Sequence, residues 1–345
     1  MMTQMTPNPA RGRRFIALWL FCLCGFIGLV VLVGGITRLT DSGLSITQWK
    51  PVTGILPPLN TQEWQNEFAG YQTIPEYRLI NQGMSLSQFK AIYWWEWGHR
   101  LLARMAGFVF LIPFVWFWST GRLARRELPK FILLFLLGGA QGAMGWYMVK
   151  SGLSLRVDVS QYRLAAHLGL AFLIYGISLW MGLTYWRGAV GRAFSPLGLR
   201  VACAVLCLAL FVQILLGALV AGLDAGLTYN SWPLMDGYWI PPGMDQLSPL
   251  HLNFFENITL VQFNHRWGGA ILIMMVLALC AGMRRLPQLR TPIRVLSGFA
   301  LLQFGLGVLT LLWVAPLGLA AAHQMGALGT FSAAIWMLHR TVRAG

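Results

Sequence analysis

The stretch Gly34-Gly35-Ile36-Thr37-Arg38-Leu39-Thr40-Asp41-Ser42-Gly43-Leu44 closes one long apolar run, and Gly217-Ala218-Leu219-Val220-Ala221-Gly222-Leu223-Asp224-Ala225-Gly226-Leu227 closes another. Trp49 and Gly54 follow the first at the spacing of Trp232 and Gly237 after the second. Three further matches occur in the same order: His99-Arg100 with His265-Arg266, Gln141-x3-Gly145 with Gln303-x3-Gly307, and His167 with His323. A chain that repeats its landmarks in order is a duplication, so the expected fold is one of two like halves.

The repeated unit is a membrane unit. The 345 residues are 57% hydrophobic and 11% charged, with mean hydropathy +0.60, which is too apolar for a soluble globule. Apolar segments of spanning length lie at roughly 15 to 36, 97 to 119, 129 to 149, 164 to 186, 198 to 222, 261 to 283, 293 to 314 and 317 to 339. The expectation is an all-α integral membrane protein of eight transmembrane helices in two four-helix bundles. The first is residues 1–190, with a large outer loop at 38–92, and the second residues 191–345. An even number of spans per half makes this a parallel repeat about an axis along the membrane normal.

Charge orients the helices. Arg11, Arg13 and Arg14, then Arg122, Arg125, Arg126 and Lys130, Arg187, Arg192 and Arg200, Arg284, Arg285, Arg290 and Arg294, and finally Arg340 and Arg343 all fall on one side, while most acidic residues fall on the other. The basic side is expected to be cytoplasmic, with both termini there. The formal charge of +15 thereby belongs to topology, and nucleic acid is excluded as a partner. The run from Phe15 resembles a signal peptide, but it lacks a small-residue cleavage site and is long enough to span, so it is expected to stay.

Cys22, Cys24, Cys203, Cys207 and Cys280 all sit in apolar runs. Metal pairs are conceivable at Cys22/Cys24 and Cys203/Cys207, but buried cysteines behave as small hydrophobes and packing is favoured. In the outer loop Trp64, Phe68 and Tyr71 recur at helical spacing, predicting a short helix on the membrane face, and Tyr93, Trp94, Trp95 and Trp97 mark the headgroup level.

His99, His167, His265 and His323 share one depth near the outer ends of helices 2, 4, 6 and 8. A lone intramembrane histidine is more often a hydrogen-bonded core residue than a ligand, but four at duplicated positions predict two pairs, each facing across a bundle as axial haem ligation requires. Zinc would want further nitrogen or sulfur ligands at that depth. Arg100 and Arg266 follow the first histidine of each pair and suit haem propionates; the alternative is snorkelling to the interface. His251, in an outer loop, and His339, at the cytoplasmic end, look like ordinary exposed residues.

The halves differ where Glu96 precedes His99 by three positions and Gln262 precedes His265. A carboxylate at the edge of a membrane haem pocket is costly unless it works or is paired. The N-terminal site is therefore expected to react and the C-terminal site to support it; a Glu96 to Arg100 surface pair is the bland alternative. Asp41 and Asp224 either cap turns or contact the haem edge, and turns are favoured because glycine follows two residues later in both.

Glu96-x-x-His99-Arg100, His167-Leu168-Gly169, His265-Arg266, His323-Gln324-Met325-Gly326 and the loop Thr37 to Ser45 resemble the haem A synthase family over essentially the whole chain. Pro75-Glu76-Tyr77, Phe89-Lys90 and Trp95-Glu96-Trp97 are similar to its proteobacterial and mitochondrial branch. Another branch carries cysteine pairs in its outer loops, which this chain lacks. The resemblance implies a bacterial inner-membrane, multi-pass enzyme that oxidises the C8 methyl of haem O to the formyl of haem A, the cofactor of terminal cytochrome oxidases. It implies that His265 and His323 ligate a permanent haem b, that His99 and His167 hold the substrate haem, and that Glu96 is the catalytic acid or base. Haem O, membrane lipid, an electron donor or acceptor, haem O synthase, oxidase assembly factors and further copies of the chain are the partners it suggests. The rival reading is a dihaem membrane cytochrome that only carries electrons, for which the difference between Glu96 and Gln262 has no evident use. A midplane transporter is disfavoured because the conspicuous polar residues cluster at the outer ends.

Overall fold

A computed structural model describes residues 9–50, 53–154, 156–187, 195–283 and 286–342. Arg192, Arg284, Arg285 and Arg343 of the basic loops, and the expected division at 190/191, lie outside these residues. Eight long helices dominate: α1 Pro9–Leu39, α2 Leu86–Ser119, α3 Leu128–Gly152, α4 Gln161–Arg187, α5 Leu197–Gly222, α6 Ile258–Met283, α7 Arg290–Leu312 and α8 Leu317–Val342. Lipid cannot bond backbone N–H and C=O groups, so an apolar run of this length closes its own hydrogen bonds as helix.

Seven of the eight, α1 to α7, are long and apolar enough to cross a membrane, and the chain is an integral membrane protein. α8 has the length, at 26 residues, but His323, Gln324, Thr330 and Ser332 dilute its apolar character. α2 is 34 residues long, about 51 Å at 1.5 Å per residue against a hydrocarbon core of about 30 Å. It starts well before the expected residue 97 because Ser85 and Gln88 form a reciprocal capping box.

Helix neighbours fall into two rings. α1 packs on α2 and α4, and α3 on the same two; α5 packs on α6 and α8, and α7 on the same two. α2 therefore stands diagonal to α4, and α6 to α8. The rings meet along a seam where α1 and α4 contact α8, and α4 contacts α5. The largest core cluster lies across this seam and includes Cys24, Val31, Phe172, Tyr175, Leu206, Leu328 and Phe331. Without a hydrophobic drive between helices in lipid, close approach and polar contacts hold such a seam. A methyl on Gly35 would overlap Gln324 Oε1, while Gln324 Nε2 donates to the Val31 carbonyl at 2.9 Å. Tyr175 and Ser332 share a hydroxyl contact of 2.7 Å.

His339 departs from expectation. It is wholly buried in the seam, 3.1 Å from the Thr184 hydroxyl and edge-on to Trp180. Being near the helix end did not expose it, because α8 is wrapped by both rings. His251 is exposed in the short turn Leu250–Leu252, as expected.

The predicted short helix forms over Thr61–Tyr71, capped by the Asn60 side chain. Its apolar face turns into protein rather than lipid: Trp64 and Tyr71 are buried with Ile74, Phe89 and Tyr93. The extra length of α2 supplies that partner surface. Beneath the loop, Arg38 at the end of α1 bridges Asp41 (3.0 Å) and Asp224 (2.9 Å). Both aspartates are left-handed, at φ 47 and 50, which is turn geometry that Asp tolerates.

Within this outer layer Glu76 is buried and accepts from the Tyr71 hydroxyl at 2.8 Å. Burial pushes its carboxyl from the ordinary 4.5 up to about 7, against the Tyr71 bond that lowers it. A raised acid keeps its proton in the folded state, so its contribution is complete below about 4.5 and is lost as pH rises through about 7. Limited proteolysis of the 53–85 segment should accelerate across that window, and Glu76→Gln should flatten the dependence.

Candidate functional site

Every one of the four histidines points at a glycine on a neighbouring helix. A methyl placed on Gly34 of α1 would lie 2.7 Å from His99 Nε2 of α2, and one on Gly145 of α3 would lie 3.0 Å from His167 Cε1 of α4. In the other ring, Gly217 of α5 stands in the same relation to His265 of α6 (3.0 Å), and Gly307 of α7 to His323 of α8 (2.8 Å). A side chain at any of these positions would press on the ring, so the glycines are cradles for imidazoles.

Glutamines hold three of these rings. Gln213 Nε2 donates to the His265 carbonyl oxygen at 2.7 Å and lies 3.1 Å from Nδ1. Gln141 repeats this at His167, at 3.1 and 3.3 Å. Gln303 Nε2 lies 3.4 Å from His323 Nε2. Each glutamine sits four residues before the cradle glycine of its own helix, one turn along the same face.

A bis-histidine iron site fits the second ring. With metal to imidazole bonds of about 2 Å, an iron between two rings sets their centroids roughly 6 Å apart. The His265 and His323 centroids are 6.3 Å apart with the rings crossed at 86°. His323 Nδ1 and Arg266 Nε are buried without a partner. These are groups that a bound haem and its propionates would satisfy.

The residues preceding the first histidines hold the loops. Glu96, 3% exposed, accepts from Arg100 Nη2 at 2.6 Å, from the Ser45 hydroxyl at 2.7 Å and from the Ile46 amide at 2.7 Å. The Glu96 to Arg100 pair weighed as the bland alternative thus exists, with its carboxylate buried and its guanidinium half-buried rather than at the surface. Arg100 also donates to the carbonyls of Ile46 and Gln48. In the other ring Gln262 donates to the Ala225 and Thr228 carbonyls, and Arg266 to those of Tyr229, Ser231 and Leu234. The same loop position is thereby docked with opposite polarity: Glu96 accepts from its loop where Gln262 donates to its own.

Gln213 was not singled out from sequence, although Gln213-x3-Gly217 repeats the spacing of Gln141-x3-Gly145 and Gln303-x3-Gly307. That spacing was the available signal.

The sequence model of the COX15-CtaA family, described as cytochrome oxidase assembly protein, matches residues 17–335. Among curated proteins, the one named "Heme A synthase" in Parvibaculum lavamentivorans is 48% identical over 332 residues, covering 95% of this chain and 94% of that protein. The protein of the same name in Chelativorans sp. is 48% identical over 343 residues, covering 97% and 94%. Its namesake in Rhodospirillum centenum is 47% identical over 349 residues, covering 98% and 93%.

Gly307→Val should displace the His323 ring, 2.8 Å from a methyl at that position, and, if the bis-histidine fit is right, lower bound haem per chain by about half. Gly305→Val, with open space around it, is the control. Pyridine haemochrome assay of the purified variants reads the difference, and equal haem in both would sink the cradle.

Proposed function

The chain belongs to the COX15-CtaA family of cytochrome oxidase assembly proteins, and from that membership we propose that it is a haem A synthase, converting the C8 methyl of haem O to a formyl group. The observation that carries this at the level of residues is the pair of cradled histidines in each ring, one of them at iron-spanning separation.

All eight long helices span the membrane, with both termini on the cytoplasmic side and the histidines near the opposite face. The two rings are duplicated halves, 1–190 and 191–345, related by an axis along the membrane normal. Support comes from the matched glycine and histidine relations, the left-handed Asp41 and Asp224, and the docking of both loops at one position.

His265 and His323 ligate the resident haem b, which supplies electron transfer when bound. His99 and His167 hold the substrate haem. Gln262 has no titratable proton, whereas Glu96 is a buried carboxylate three residues from His99 and is assigned the proton-handling role. Methyl, hydroxymethyl, hydrated aldehyde and formyl follow in order: each of the two oxidations adds one oxygen atom to the carbon and passes two electrons to the electron partner, with two protons released towards Glu96 when water supplies that oxygen, and loss of water from the hydrate leaves the formyl. The Ser45 hydroxyl that donates to Glu96 sets the orientation of the carboxylate. Arg100 and Arg266 pin the outer loops across the two sites and would serve the propionates of a bound haem, with Arg266 Nε the donor left over. Haem O synthase, oxidase assembly factors, further copies of the chain and an electron partner complete the expected company.

Mass spectrometry of pigments extracted from the purified protein tests the function. Haem B together with haem O, haem A or a hydroxylated intermediate is expected; haem B alone at two per chain would favour an electron-carrying cytochrome. Glu96→Gln should keep both haems and stop formyl production, and normal haem A output would remove Glu96 from the chemistry.

A further inference from the structure

Three of the four odd-numbered helices carry Gln-x3-Gly opposite a histidine: Gln141-x3-Gly145, Gln213-x3-Gly217 and Gln303-x3-Gly307. The fourth, α1, carries Val30-x3-Gly34. The cradle glycine is present, but one turn before it stands a side chain that cannot hydrogen-bond. Among the described residues the His99 ring makes no hydrogen bond, whereas glutamine amides lie 3.1 to 3.4 Å from the rings of His167, His265 and His323. The ring orientation differs too. His99 presents Nε2 to its glycine, while the other three present Cε1.

A ligating imidazole normally gives its second ring N–H to a fixed acceptor, which sets its orientation and keeps it on the metal. Rotation of the glutamine amide offers Oε1 for that bond, and Oε1 of both Gln141 and Gln303 is buried without a partner. On this basis, and resting on the haem assignment above, we propose that Gln141, Gln213 and Gln303 are positioning residues that lock His167, His265 and His323, and that His99 is the one ligand left free to leave the iron. The unlocked ligand falls on the substrate side. A resident haem needs two firm ligands, whereas a substrate haem must enter and depart, and detachment of one ligand is the smallest motion that permits it. His167, held by Gln141, retains the haem meanwhile.

Carbon monoxide binds ferrous haem only where an axial position opens, so it counts labile ligands. The full-length protein is reconstituted with haem B to two per chain, checked by pyridine haemochrome, reduced, and titrated with carbon monoxide. The wild type should bind about one carbon monoxide per chain, Gln213→Leu about two, and Val30→Gln close to none, as expected if the amide beside each imidazole decides ligand retention. A wild type that binds none with both haems present, or a Gln213→Leu protein that still binds one, would overturn the proposal. If Val30→Gln does not accumulate, Gln303→Leu replaces it with the same expectation as Gln213→Leu. A protein that follows this pattern yet yields no haem A in cells would keep the ligand assignment and lose the synthase reading. Failure to bind any haem would sink both.

Discussion

The imidazoles of His99, His167, His265 and His323 occupy space that any side chain on Gly34, Gly145, Gly217 or Gly307 would fill, and this close approach of ring to backbone organises the membrane part of the molecule. Each cradle needs a glycine on an odd helix level with a histidine on an even one. That in turn requires the odd helices to stand between the even ones around each ring, which is the packing observed. Diagonal placement then brings the His265 and His323 imidazoles to 6.3 Å across the interior of the second bundle, where an isolated polar group would be expensive.

The seam between the rings meets the same difficulty by different means. Lipid is as apolar as leucine, so apolar burial does not hold helices together there. Gln324 reaching into the space above Gly35, Tyr175 against Ser332, and Thr184 against His339 supply direct polar contacts. Arg38 closes the seam at the long-loop side by taking one aspartate from each ring. The position that corresponds to Arg38 in the repeat is Ala221, and Arg38 donates to the carbonyl of that residue. A single arginine at the centre suffices, since a second would meet it with like charge.

Above the membrane, α2 continues as a post on which the outer layer is built. Trp64, Tyr71 and Phe89 pack there as an aromatic cluster, and Glu96 sits where post and loop join. Its carboxylate receives a hydroxyl, an amide and a guanidinium, which tie the loop to the helix. Gln262 turns the same attachment around by donating to carbonyls. The difference in charge between the two sites is therefore built into how each loop is docked.

Periodicity, hydropathy and the order of repeated landmarks determined that the chain crosses a membrane, that histidines recur near one end of the even helices, and which acidic residue distinguishes one pair from the other. These properties are local or depend on order along the chain, so one dimension carries them. What only the tertiary structure decided is which glycine faces which histidine, that His339 is buried, and that the aromatic face of the Thr61–Tyr71 helix is taken up by protein. Each depends on the rotation of one helix against another, and the hydrophobic pattern fixes that rotation poorly when a helix is apolar on every side.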